Sequence, residues 1–226
     1  MTQPDNPAPR RPALPASKLR FVALAAAFAG LVLAAAGAVF LLRPPTPPAA
    51  MTDSGVVRMA GGAAIGGPFR LTDQSGRVVT DTDFAGRYML IYFGFANCPD
   101  ICPTELQTMG NAVDALGNEG ARVVPVFITV DPARDTPEQL KGYVAAFHPG
   151  MVGLSGSAEE IAAVAKAYKV YFNKAPGDGA GDSYQVDHTS FVYLMGPDGK
   201  LRSLFRAGTS AKAMAAEITA QLRQSS

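Results

Sequence analysis

The clearest pattern along the chain is a pair of nearly uninterrupted apolar runs, residues 88–95 and 122–130. Runs of this kind predict strands that are covered on both faces. Between them, apolar residues recur at every third or fourth position, which predicts a helix over residues 103–117. A strand, a helix and a second strand in this order predict a right-handed parallel crossover.

The remaining patterns place further elements around this crossover. Residues 69–80 predict a short hairpin, and residues 191–206 predict a second one. Thr136 and Ser157 each stand at the start of an apolar helical pattern with a capping signal. The Gly- and Asp-rich residues 173–187 predict a loop.

The N-terminal part of the chain predicts a membrane anchor. Residues 21–42 contain no charged side chain and would span about 33 Å as a helix, enough to cross a bilayer. Residues 1–20 carry four basic side chains against one acidic one, so we expect them to form a cytoplasmic tail. The small residues at 36–38 leave a cleaved signal peptide open as an alternative. Residues 43–67 predict a Pro- and Gly-rich linker, and residues 68–226 predict the folded domain.

This organisation predicts a single-pass protein of a bacterial inner membrane, with its C-terminal domain in the periplasm. Two thiols on that oxidising side would form a disulfide unless a metal ion or a thiol reductant protects them. The net charge of +1 over 226 residues gives no reason to expect nucleic acid as a partner.

Cys98 and Cys102 are the only cysteines of the chain, and they lie where the first buried strand meets a helix. Partial positive charge at a helix N-terminus favours the thiolate form. A mixed sheet flanked by helices, with such a pair after its first strand–helix junction, predicts an α/β domain with a thioredoxin-like fold. We expect the pair to bind a metal ion or to act in redox chemistry.

Thiolate ligands select Cu(I), zinc or iron–sulfur centres. Two cysteines are too few for an iron–sulfur cluster, and a structural zinc site requires four ligands. Two sulfurs with one imidazole nitrogen form an open site that suits Cu(I). The predicted third ligand is His188, which stands between the predicted loop and a strand, although a role outside metal binding stays open. For His148, a hydrogen bond or a charge at a helix end is expected instead.

Asp131 and Asp135 flank Arg134 just before a predicted helix. Caps and a local ion pair explain such a pattern. A contribution to tuning the metal site or to docking a partner is the alternative.

Several stretches together resemble the Sco/SenC family of copper chaperones for cytochrome c oxidase assembly. The matching stretches are YFGF at 92–95, CPDICPTEL at 98–106, TVDPARDTPE at 129–138, DHTS at 187–190 and YLMGPDG at 193–199. They occur in the family's order and cover the chain from about residue 68 to residue 208.

The resemblance implies that Cys98, Cys102 and His188 bind copper, as Cu(I) and in some members as Cu(II). It also implies delivery of copper to the CuA site of cytochrome c oxidase subunit II, or reduction of the cysteines of that site from a disulfide to thiols. A periplasmic copper donor is a further implied partner. The chain departs from the family at Ala96-Asn97, where Thr-His is expected before the first cysteine.

A copper metallochaperone, which binds and transfers rather than catalyses, is therefore the first hypothesis. The second is a thiol–disulfide oxidoreductase in which the two cysteines cycle through a disulfide, although the extra residue relative to Cys-x-x-Cys alters the exchange geometry. No clear peroxide pocket supports a peroxidase. A purely structural disulfide, closing so short a loop, would contribute only about 2 kcal/mol.

Overall fold

A computed structural model of the chain describes residues 55–58, 65–176 and 184–224. The predicted tail at 1–20, the predicted anchor at 21–42 and much of the predicted linker at 43–67 lie outside these residues. Within the described ranges, no helix combines the length and the apolar character that a membrane span requires.

The described residues form ten strands and four α-helices. The strands are β1 (Val56–Arg58), β2 (Arg70–Asp73), β3 (Val78–Thr80), β4 (Tyr88–Gly94), β5 (Val123–Thr129), β6 (Val152–Ser155), β7 (Phe172–Pro176), β8 (Tyr184–His188), β9 (Phe191–Met195) and β10 (Leu201–Arg206). The helices are α1 (Ile101–Asp114), α2 (Pro137–Ala145), α3 (Ala158–Ala167) and α4 (Ala211–Gln224).

Eight strands form one mixed sheet in the order β1-β10-β9-β4-β5-β6-β2-β3. Strands β4, β5 and β6 run parallel, and β9 runs antiparallel to β4. The predicted crossover is therefore confirmed as β4–α1–β5. Every residue of β4 and β5 is buried, as their apolar runs predict.

The predicted helix starts are also confirmed. Thr136 Oγ1 accepts a hydrogen bond from the Gln139 amide, and Ser157 Oγ accepts one from the Glu160 amide. Each cap occupies an amide that would otherwise lack an intrahelical partner. The two helices therefore begin at fixed points beside the carboxyl ends of β5 and β6.

Three strands lie where the sequence predicts none. Strand β1 falls within the span 43–67 and pairs with β10, with Val56 opposite Phe205. Strands β7 and β8 pair with each other in a sheet of their own, from Phe172 opposite His188 to Pro176 opposite Tyr184. The prediction of a loop over 173–187 is therefore wrong for its described part, because these segments satisfy each other's backbone hydrogen bonds.

Candidate functional site

The two cysteines lie together at the carboxyl end of β4. The chain turns after this strand, and the Cys98 amide donates to the Phe95 carbonyl at 3.2 Å. Cys102 lies in the first turn of α1, where its amide approaches Cys98 Sγ at 3.5 Å. Both thiols are buried and free.

Gly94 makes this packing feasible. A Cβ at this position would lie 3.0 Å from Cys102 Sγ and 2.9 Å from the ring of Tyr92. Contacts that short would force the sulfur or the ring to move, so the backbone at the end of β4 needs glycine to accept the buried thiol.

His188, the last residue of β8, lies close to Cys102. Its Nε2 lies 3.4 Å from Cys102 Sγ, so the structure brings these two predicted ligands together across 86 positions of the sequence. The rings of Tyr92 and Phe95 pack edge-on against the imidazole, with centroids 5.8 and 6.0 Å away. The Tyr92 hydroxyl also lies 3.9 Å from Cys102 Sγ.

The surroundings of His188 fix which of its nitrogens can bind a metal ion. Nδ1 lies 3.2 Å from the Thr189 carbonyl oxygen. A carbonyl oxygen only accepts hydrogen bonds, so Nδ1 carries the proton and Nε2 directs its lone pair toward the sulfur. Burial lowers the pKa of His188, which favours the neutral imidazole that metal binding requires.

The protonation state of Cys102 differs from the prediction. Burial, reinforced by the nearby Cys98 thiol, raises the pKa of Cys102 to about 12. The expected thiolate is therefore wrong for this cysteine, because loss of hydration outweighs the favourable field of the helix N-terminus. In the metal-free protein its thiol stays protonated at neutral pH.

The donor set fits a soft, low-coordinate metal ion. With bonds of about 2.3 Å to sulfur and about 2.0 Å to nitrogen, trigonal ligands would stand about 3.7 Å apart. The observed separation of 3.4 Å between Cys102 Sγ and His188 Nε2 is close to that value. As it stands, however, no group of three His, Cys, Asp or Glu side chains in the described ranges is arranged to hold a metal ion. A site with all three ligands therefore requires a local adjustment.

The other candidate residues have structural roles. His148 Nδ1 accepts the Gly150 amide at 3.0 Å, and Nε2 lies 3.5 Å from Asp114 at the far end of α1 from Cys102. This helix-end position confirms its expected role. Asp131 and Asp135 are both buried, and Asp131 pairs with Arg134 as expected.

Comparison with known proteins assigns the family. The family model SCO1/SenC matches residues 57–223. The chain belongs to the SCO1/SenC family. It is 46% identical to protein sco1 of Schizosaccharomyces pombe over 72% of this chain and 63% of that protein. It covers 56% of the length of the human protein SCO1 homolog, so it spans about three fifths of these curated relatives.

Solved Sco structures share the fold. Arabidopsis thaliana ScoI with copper bound matches at a TM-score of 0.67 and 42% identity, over 71% of this chain and 99% of that one. A structure of BsSco, described as a member of the Sco family of cytochrome c oxidase assembly proteins with a disulfide switch, matches at a TM-score of 0.55 and 31% identity, over 70% and 92%. The predicted α/β, thioredoxin-like class of the folded part is confirmed.

Some residues around the candidate site were not singled out from the sequence as site residues. Tyr92 and Phe95 stand in an apolar run, where only the hydroxyl of Tyr92 hints at a polar neighbour. Glu105 is buried one turn after Cys102, where Oε1 accepts the Gly208 amide at 2.8 Å. Burial raises the pKa of Glu105. A lone acidic residue on the inner side of a helical pattern is the sequence signal that marks it.

We predict that iodoacetamide modifies Cys98 about tenfold or more faster than Cys102 in the reduced, metal-free protein, because Cys102 is fully buried and holds its proton. Mass spectrometry of the two peptides at early times and pH 7.5 measures both rates. The rates should converge in denaturant. Equal rates in the folded protein would contradict the prediction.

Proposed function

We propose that this protein is a membrane-anchored copper chaperone that binds copper through Cys98, Cys102 and His188 and delivers it to the CuA site of cytochrome c oxidase subunit II. The observation that carries this proposal is the 3.4 Å approach of His188 Nε2 to Cys102 Sγ. Family membership and relatives solved with copper bound support copper as the ion. In this proposal copper is cargo, so the protein is a binding and transfer protein rather than an enzyme.

The chemistry of the site favours Cu(I). Soft thiolates with one imidazole suit Cu(I), and two sulfurs plus one nitrogen leave the ion low-coordinate. A partner's ligand can then enter before a ligand of this chain leaves. The edges of Tyr92 and Phe95 shield His188, which keeps its imidazole neutral and available.

Delivery of copper requires the domain and subunit II to lie on the same side of the membrane. Residues 21–42 would tether the domain to the bacterial inner membrane, and the part of the predicted linker that precedes β1 would hold it away from the surface on the periplasmic side. The subunit II site would then be reached from the same side of the membrane. A periplasmic copper donor and a thiol reductant complete the expected set of partners.

A thiol–disulfide reductase acting on the copper-site cysteines of the oxidase subunit is the second candidate. Two free cysteines, with the Cys102 amide 3.5 Å from Cys98 Sγ, favour it, as does the disulfide switch described for BsSco. Its reaction transfers two electrons and two protons from the thiols of Cys98 and Cys102 to a partner disulfide, which yields a disulfide here and two thiols there. His188 has no necessary part in that exchange.

We predict that the full-length wild-type protein binds one Cu(I) and that His188→Ala weakens this binding about tenfold or more, because one of three ligands is lost. Competition with a chromogenic Cu(I) chelator measures the affinity. The matched control is His148→Ala, whose imidazole lies at the other end of α1 and should leave the affinity unchanged.

Unchanged Cu(I) affinity in His188→Ala would contradict the chaperone proposal. If that variant also reduced a disulfide-bridged subunit II peptide stoichiometrically, as well as the wild type does, the reductase would become the better account.

We also predict that Cu(I) affinity rises with pH. The pKa of Cys102 lies near 12, so below that pH copper must displace its proton, and each displaced proton raises the apparent affinity about tenfold per pH unit. Neutral His188 releases no proton at pH 7 and above. Chelator competition between pH 7 and 9 should show this rise in affinity. In Cys102→Ser the rise should be tenfold smaller per pH unit, because one fewer proton is displaced. A flat profile for the wild type would contradict it.

A further inference from the structure

The hairpin formed by β7 and β8 carries His188 but does not belong to the main sheet. Because side chains alternate along a strand, Tyr184, Val186 and His188 share the inner face of β8, while Gln185 and Asp187 are exposed. Val186 is buried. The position of the imidazole therefore depends on how the inner face of this hairpin is held against the body of the domain.

The far end of that inner face is fixed by the loop between β5 and α2, residues 130–136. The Tyr184 hydroxyl donates to Asp131 Oδ1 at 2.6 Å, and Arg134 Nη1 donates to the Tyr184 carbonyl at 3.1 Å. The Arg134 guanidinium also stacks on the Tyr184 ring, 3.7 Å from its centroid. Asp131 is fully buried and pairs with Arg134, so its carboxylate is desolvated and partnered, whereas Arg134 Nη2 is buried without a hydrogen-bond partner among the described residues.

The same loop also holds the cysteine side of the site. Asp135 Oδ2 accepts the Ala96 amide at 3.0 Å and the Thr129 hydroxyl at 2.6 Å. Ala96 lies two residues before Cys98. Within this loop, the Arg134 guanidinium lies between the ring of Tyr184 and that of Phe95, which itself packs against His188.

We propose that Arg134, acting with Asp131 and Tyr184, is a positioning residue that holds the β7–β8 hairpin so that His188 stays within reach of the sulfurs, and that it thereby sets the rate at which bound copper leaves. This inference rests on the proposed copper binding. The loop 130–136 therefore contacts the segments that carry both kinds of predicted ligand. Asp135 holds the residues just before Cys98, and Arg134 holds strand β8, which ends at His188. Weakening the Arg134 contacts leaves every ligand in place but lets the imidazole separate from the sulfurs more often.

The test measures Cu(I) loss from the loaded full-length protein into excess chelator by stopped flow. Arg134→Lys keeps the charge but loses the planar stacking and the forked donors, and Tyr184→Phe removes only the hydroxyl. Each should lose Cu(I) about tenfold faster than the wild type, a factor typical of one lost charge-assisted hydrogen bond, while still binding one ion. Arg202→Lys, which makes the same change at a more exposed ion pair with Asp198, is the control and should match the wild type.

A double variant separates positioning from general loosening of the fold. If Arg134 acts through His188, then Arg134→Lys should add nothing to the rate in a His188→Ala background. An additive effect there, or wild-type rates in both Arg134→Lys and Tyr184→Phe, would overturn the inference. If Arg134→Lys fails to fold, the same comparison is made with Tyr184→Phe, alone and combined with His188→Ala.

The outcomes also distinguish this inference from the proposed function. If the wild type binds no copper, or if His188→Ala loses copper at the wild-type rate, the proposed function itself fails. If the wild type binds copper through His188 and the Arg134 and Tyr184 variants match it, only the positioning role fails.

Discussion

The site depends on one contact, the approach of His188 Nε2 to Cys102 Sγ at 3.4 Å. It joins the first turn of α1 to a hairpin outside the main sheet, so neither partner alone fixes the distance between them. Gly94 lets the sulfur lie against the strand end, and the Thr189 carbonyl orients the ring. The rest of the domain supports these two side chains from opposite sides.

Burial gives this contact its chemical character. It keeps the imidazole neutral and the Cys102 thiol protonated, so the metal-free site carries little charge in an apolar environment. Binding of a soft cation must displace the thiol proton, and this cost offsets part of the strong metal–sulfur bond energy. Such an offset would favour the copper release that we propose for this protein.

The sequence predicts the parts of the fold that local pattern specifies. The apolar runs give β4 and β5, and the caps at Thr136 and Ser157 give the starts of α2 and α3. Strands β1, β7 and β8 were missed because pairing with other segments, not local periodicity, makes them strands. Their Gly-rich and Asp-rich surroundings favour a linker or a loop when considered alone.

The candidate ligands could be predicted from the sequence because cysteine and histidine are scarce in this chain. The burial and the contacts of these side chains could not be predicted from the sequence. The raised pKa of Cys102 follows from complete burial, which depends on how α1 packs over β4, and spacing does not report that packing. The contact of Arg134 with Tyr184 joins residues 50 positions apart, and the sequence shows Arg134 only as the neighbour of two acidic residues.

The most direct test of the account is X-ray absorption spectroscopy at the copper edge on the reduced, Cu(I)-loaded full-length protein. We predict a single three-coordinate copper with two sulfur ligands and one imidazole nitrogen, and loss of the imidazole scattering in His188→Ala. A two-coordinate, all-sulfur copper with the same spectrum in both proteins would contradict the central claim that the hairpin supplies a ligand.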